Sequence, residues 1–185
     1  ATPIPDDFEV PFGKARVRHE GSDLSLITYG NTTPMCVEVA EKFSKEGIAS
    51  LEVLDLRSLS PLDTDAILTS VKKTGKALVV HEDKVFGGFG GELSAIINEK
   101  AFEYLDAPIK RIGSPFTPVG FNRILEKAIL PDMEKVYNAA KEIIEYALNG
   151  EKELLSFYNG LLDKFRSVWK IKKIKRIISE ETYHV

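Results

Sequence analysis

The stretch LVVHEDKVFGGFGGE, Leu78 to Glu92, decides the fold. Leu78, Val79 and Val80 make an apolar strand that ends in His81 and Glu82. Four glycines then fall within five residues, Gly87, Gly88, Gly90 and Gly91, and a helical pattern begins at Glu92. A strand that passes through polar residues and glycine into a helix is one half of a βαβ unit, and the loop lies at the carboxyl edge of a parallel sheet, where open α/β folds place their sites. Two readings of the glycines stand side by side. They let the backbone turn sharply and the helix pack closely on the strand, or they line a ligand loop. The spacing is not G-x-G-x-x-G, and Glu92 near the helix start would repel a phosphate drawn by the helix dipole.

Working outward, strand-length apolar runs occur at Ala15 to Arg18, Leu24 to Tyr29, Leu51 to Leu56, Ala77 to Val80 and Ile109 to Ile112. Helical patterns separate most of them. Thr33 as N-cap and Pro34 at the first helical position predict a helix carrying Val37, Val39, Ala40 and Phe43 and stopping at Gly47. A second spans about Thr64 to Lys73 with Gly75 beyond its end, and a third about Glu92 to Tyr104. Asp132 opens a fourth that stops near Leu148, before Asn149 and Gly150. Alternating strands and helices predict a three-layer α/β domain with about five strands, mostly parallel and covered on both faces. Glu20-Gly21-Ser22-Asp23 between the first two strands predicts a hairpin, hence one antiparallel edge strand.

The boundaries read from this pattern are an extended interdomain linker at residues 1–13, the α/β domain at 14–149 and a basic helical extension at 150–185. ATPIPDDFEVPFG is extended because each proline biases its predecessor away from helix, and a domain entered through such a segment is expected to be part of something larger. In the extension, Leu154, Tyr158, Leu161, Phe165, Val168, Ile171, Ile174 and Ile178 form one apolar stripe on a helix of roughly Glu151 to Glu180. Lys164, Lys170, Lys172, Lys173, Lys175 and Arg176 mostly lie off it. Such a stripe packs on its own domain or on a dimer mate, pairs as a coiled coil, or lies on a membrane surface.

Charge narrows the partners. Lys and Arg number 25 against 28 Asp and Glu, a net of −3 that argues against a nucleic-acid binder. The extension from Gly150 carries eight basic and five acidic residues, which leaves −6 on the rest. A single cysteine, Cys36, excludes an internal disulfide and a multi-cysteine zinc site. No apolar run approaches the ~18 residues of a membrane span, and ATPIPDDF has neither the basic segment nor the apolar core of a signal peptide. A cytoplasmic location is expected.

Several segments together carry a resemblance. They are VPFGKARVRHEGSDLSLITYG (Val10 to Gly30), EVLDLRSLSPLD (Glu52 to Asp63), VKKTGKALVVHED (Val71 to Asp83), GGFGGE (Gly87 to Glu92), DAPIKRIGSPFTPVGF (Asp106 to Phe121) and LEKAILPD (Leu125 to Asp132). In order and spacing, across Pro5 to about Tyr146, they resemble the carboxyl-terminal domain of the beta subunit, or fused beta half, of thiamine-diphosphate-dependent 2-oxo acid dehydrogenases, the pyruvate and branched-chain (2-oxoisovalerate) decarboxylating components. DLRSLSPLD with LEKAILPD resembles that branch more than transketolase or the deoxyxylulose-phosphate synthases. The chain departs from the pattern at Lys84, Val85 and Phe86, at Gly91 where alanine is usual, and at Gly120 to Arg123, the last as in fused single-chain forms. The tail after Gly150 matches nothing in the family.

The resemblance implies an oxidoreductase whose thiamine diphosphate and Mg²⁺ are held by domains other than this one, and the chain has no GDG-type diphosphate motif. It implies a domain that serves subunit packing, homo-oligomer contacts and docking of the lipoyl acyltransferase core, and that is inert alone. No cofactor or metal residue is assigned here. His81 and Glu82 are the acid-base candidates, although neighbours on a strand point to opposite faces. His81 is otherwise a structural residue hydrogen-bonded at the strand end. Phe86 and Phe89, flanking Gly87, Gly88, Gly90 and Gly91, are candidate interface residues or local core. The histidines His19, His81 and His184 are too scattered for a metal site. The rivals are a stand-alone small-ligand domain using the Gly87 to Gly91 loop, and another enzyme of the transketolase superfamily.

Overall fold

A computed structural model describes residues 9–181, with side chains for all of these except 167, 170, 171 and 173–181. The expected linker up to Phe8, and the side chains of the stripe residues Ile171, Ile174 and Ile178, therefore lie outside what is described. Five strands, β1 (Arg16–His19), β2 (Leu24–Thr28), β3 (Leu51–Asp55), β4 (Ala77–Lys84) and β5 (Lys110–Ser114), form one sheet in the order β1-β3-β2-β4-β5. β2 pairs in parallel with β3 and β4, β4 pairs in parallel with β5, and β1 is the antiparallel edge.

The two faces follow from side-chain alternation. Leu24 and Leu26, Leu51 and Val53, and Leu78 and Val80 face a cluster built with Cys36, Val39, Ala40 and Phe43 of α1 (Thr32–Glu46) and Val136, Ala140 and Ile143 of the last helix. Ile27, Leu54 and Val79 face the other cluster, with Ile67 and Val71 of α2 (Thr64–Thr74) and Leu93 and Ile97 of α3 (Phe89–Ala101). All of β2 is buried, which is why its sequence is a continuous run. Ser25, a polar residue inside it, bonds Ser70 Oγ at 2.6 Å and Thr74 Oγ1 at 2.7 Å, so the buried hydroxyl is satisfied.

The expected hairpin does not exist. β1 pairs with β3 and not with β2, because the chain from Glu20 to Asp23 crosses the start of β3. Ser22 and Asp23 donate their N–H groups to Ser50 O, and the Asp23 carboxylate accepts Ser50 N–H at 2.7 Å. Gly21 lies so close over β3 that a Cβ would stand 2.2 Å from the Leu51 carbonyl carbon. The glycine read as a turn residue is a crossing residue.

Two helix starts also differ from their expected places. α1 begins two residues earlier, with Asn31 at the cap and Pro34 third in the helix, where its missing N–H costs nothing. α2 does start at Thr64, capped by Asp63, which accepts Ala66 N–H at 3.2 Å while its other oxygen accepts Ala15 N–H at 3.0 Å. α3 starts at Phe89 and not Glu92, and ends at Ala101 in a 3₁₀ turn, Phe102–Tyr104. A short helix, α4 (Arg123–Ile129), stands where no helix was expected, capped by the Asn122 side chain on Ile124 N–H at 2.8 Å.

Asp132 does precede the next helix and accepts Lys135 N–H at 2.8 Å, a bond that holds its carboxyl below the usual range. That helix, α5, runs Met133–Glu181 without stopping at Asn149-Gly150. A helical glycine costs only ~1 kcal/mol against alanine, too little to end a helix flanked on both sides by good helix formers. The chain divides into two units after Glu145. In the second, Leu154, Leu155, Tyr158, Phe165 and Trp169 are all exposed.

Candidate functional site

β2 and β4 are neighbours whose following helices lie on opposite faces, so the sheet changes direction between them. The loops after β2, β4 and β5 meet at that carboxyl edge. His81 lies at its centre and is completely buried. Its ring stacks on Tyr29 with 5.9 Å between centroids and 7° between planes, and Phe89 meets Tyr29 edge-on at 6.3 Å.

Two glycines make room for that imidazole. A Cβ at Gly90 would be 2.1 Å from His81 Nε2, and one at Gly113 would be 2.8 Å from Cε1. Neither ring nitrogen has a partner at full hydrogen-bond geometry among the described residues, although the Asp83 backbone lies close enough to favour the charged ring. Burial pushes the His81 pKa below its ordinary value, the more so for Arg111 nearby, while Asp83 pulls the other way.

Glu82 points elsewhere, as alternation on a strand requires. It is exposed, and its carboxylate accepts the Asn31 side-chain N–H at 3.2 Å. His81 and Glu82 therefore do not converge on one point. Burial, and then the Asp83 charge, raise the pKa of Tyr29.

The glycines of the loop have separate causes. Gly87 has φ +72°, the left-handed region that other residues avoid. A Cβ at Gly88 would be 2.0 Å from Lys84 O, and Gly90 makes way for His81. Gly91 meets nothing nearer than Arg111 Nη1 at 3.4 Å. The Asp83 carboxylate accepts Phe89 N–H at 3.3 Å at the start of α3, with Glu92 in the same first turn. Two carboxylates at this helix end oppose a phosphate.

The loop aromatics divide. Phe89 is partly buried against the core, whereas Phe86 is 71% exposed and meets Phe116 edge-on at 4.9 Å. Arg111 donates to Val85 O at 2.9 Å and Val85 N–H donates to Ser114 O at 2.9 Å, so β5 carries the Phe86 loop. Val119, Phe121, Ile124 and Leu125 extend the exposed apolar surface along the chain that follows. Tyr29, Asp83, Arg111, Gly113 and Phe116 were not singled out from the sequence. Only Gly113, a glycine inside a strand, carried a local signal of close approach.

The donor set does not suit the diphosphate and metal that the resemblance implies. No group of three or more His, Cys, Asp or Glu capable of holding a metal ion exists among the described residues. Nor is any described helix long and apolar enough to cross a membrane.

The family model for the carboxyl-terminal domain of transketolase matches residues 13–136. The chain is 41% identical over 148 residues to the beta subunit of acetoin:2,6-dichlorophenolindophenol oxidoreductase of Bacillus subtilis, covering 79% of this chain and 43% of that one. It is 42% identical to the 2-oxoisovalerate dehydrogenase beta subunit of the same organism, covering 76% and 43%, and 40% identical to the mitochondrial pyruvate dehydrogenase E1 beta subunit of Dictyostelium discoideum, covering 75% and 39%. It thus spans less than half the length of these relatives. Among solved structures, a split-gene transketolase in the form of an inactive beta4 tetramer superposes with a TM-score of 0.66 at 23% identity, covering 78% of this chain and 45% of that one, which is a likeness of fold. With the five-stranded mixed sheet already described, these matches place the chain: it belongs to the transketolase C-terminal domain family, and its relatives include beta subunits of the 2-oxo acid dehydrogenases.

Proposed function

We propose that this chain is the C-terminal assembly domain of the decarboxylating component of a 2-oxo acid dehydrogenase complex. The parent reaction is oxidative decarboxylation of a 2-oxo acid with transfer of the acyl group to a lipoyl arm. Thiamine diphosphate, when bound, supplies the electron sink for loss of carbon dioxide. It is held with Mg²⁺ by domains outside this chain, and the chain alone is inert. Its partners are those domains, further copies of the component and the lipoyl acyltransferase core, in the cytoplasm.

The observation that carries this reading is the exposed aromatic pair Phe86 and Phe116 at the carboxyl edge, continued by Val119 and Phe121. At the same edge His81 is buried and the Asp83 carboxylate is engaged with Phe89 N–H, while the aromatic pair stays exposed. Aromatic side chains on an exposed apolar patch are what a partner domain buries.

The test joins this chain to the catalytic domains of a beta subunit and adds the alpha subunit, with acyl transfer to a lipoyl domain as the readout. The chain alone is expected to give no turnover and no heat on titration with thiamine diphosphate and Mg²⁺, whereas the assembly turns over. Phe86→Ser with Phe116→Ser should leave the chain folded but weaken assembly at least tenfold. Turnover by the chain alone, or wild-type assembly by the double variant, would overturn the proposal.

A further inference from the structure

The second unit, from Tyr146 on, carries an apolar stripe that the proposed function does not use. Leu154, Tyr158, Leu161, Phe165 and Val168 are spaced four, three, four and three residues apart, and Leu155, Leu162 and Trp169 recur every seven. Tyr158 and Phe165 form the centre line, with the other two sets on either side. Leu161 is half-buried, and the rest are between 47% and 73% exposed.

The stripe reads nearly the same in both directions about Leu161 and Leu162. Reversing the helix there lays Tyr158 on Phe165, Leu154 on Val168 and Leu155 on Trp169. The ends of the centre line carry opposite charges, Glu151 at one end and Lys172 at the other, both exposed. We infer that this helix pairs with the same helix of a second copy, antiparallel, with the two-fold axis at Leu161 and Leu162.

Charge chooses both the orientation and the occupant. Antiparallel pairing sets Glu151 of each copy beside Lys172 of the other, twice per dimer. Parallel pairing sets Glu151 beside Glu151 and Lys172 beside Lys172, and like charges in register are destabilising. It would also lie two copies of residues 164–178, with seven Lys and Arg and no Asp or Glu, side by side. An apolar sequence that is its own reverse is what an isologous contact needs, since the same patch must fit itself.

Disulfide trapping in the full chain tests the pairing. Cys36 is buried with its thiol pushed up to about 12, so it does not compete. Leu154→Cys alone and Val168→Cys alone should give no covalent dimer on oxidation, whereas their mixture should. Sedimentation mass should rise from 20.6 kDa toward twice that with concentration. Leu162→Asp, which sets two carboxylates together at the axis, should abolish the covalent dimer. Glu151→Lys should weaken pairing by roughly 2–10-fold, and Glu151→Lys with Lys172→Glu should restore it. Self-crosslinking of Leu154→Cys would mean parallel helices and overturn the inference. So would the absence of any crosslink, whether or not the chain binds phosphatidylserine–phosphatidylcholine vesicles. Trapping is independent of turnover, so the outcome is separate from that of the proposed function.

Discussion

A methyl group placed at Gly90 tests how the carboxyl edge is built. The Cβ of Gly90→Ala would stand 2.1 Å from His81 Nε2 and 2.7 Å from Cδ2. The ring has nowhere to retreat: Tyr29 stacks on its face, and the Gly113 backbone closes the opposite edge. Overpacking of this kind costs roughly 1–3 kcal/mol, here near the upper end because the contact is more than an ångström too close. Alanine returns at most ~1 kcal/mol through its better helix propensity. A net loss of about 1–2 kcal/mol follows, which lowers Tm by roughly 2–8 °C in a chain of this size. Thermal and urea unfolding followed by circular dichroism would measure it.

Gly91→Ala is the control, because its Cβ meets only Arg111 Nη1 at 3.4 Å. It should be neutral or stabilising by up to ~1 kcal/mol. In a His81→Ala background the cost of Gly90→Ala should vanish, a coupling of about 1–2 kcal/mol between the two sites. If Gly90→Ala is as harmless as Gly91→Ala, or if its cost survives removal of the imidazole, the packing argument is wrong.

Further outcomes follow from the same geometry. The folded pKa of His81 lies below its ordinary value, so below pH ~6.5 the unfolded chain takes up a proton that the folded chain refuses. Stability should therefore be full above that pH and decline as pH falls toward the folded pKa, and His81→Asn should remove this part of the slope in urea titrations at pH 7.5 and 5.5. Glu52 is 1% exposed and ion-paired with Lys73, with Glu20 3.6 Å from the same ammonium. Lys73→Met should destabilise by about 1–3 kcal/mol, less than for a fully buried pair because Lys73 is partly exposed. Glu52→Gln in the same background should recover much of that loss. Gly21→Ala meets backbone that cannot yield and should cost at least ~3 kcal/mol, visible as loss of soluble folded protein. Cys36 should resist a thiol reagent at pH 8 until the chain is unfolded.

The sheet was legible because burial on both faces leaves a mark that needs no partner to read. Runs such as Leu24 to Thr28, buried along its whole length, and Ala77 to Val80, apolar throughout, are separated by helices with 3.6-residue stripes, so a covered parallel sheet is the arrangement that satisfies both. The tail's stripe was equally plain, because periodicity along one helix is a local property. Strand order was another matter. Glu20-Gly21-Ser22-Asp23 has the composition of a hairpin turn, and what makes it a crossing is Ser50, 27 residues beyond Asp23, which supplies the carbonyl and N–H that hold it over β3. The start of α3 was likewise decided by Asp83, whose carboxylate reaches forward to accept Phe89 N–H where the helix begins inside a glycine run. The candidate site divides in the same way. Gly87 needs its positive φ whatever surrounds it, and a turn signal suffices to find it. Gly90 is glycine on account of His81, and His81 packs against Tyr29, just after β2, and Gly113 of β5. Contacts made across parallel strands leave no periodic trace, because residues far apart along the chain meet only after the sheet has assembled.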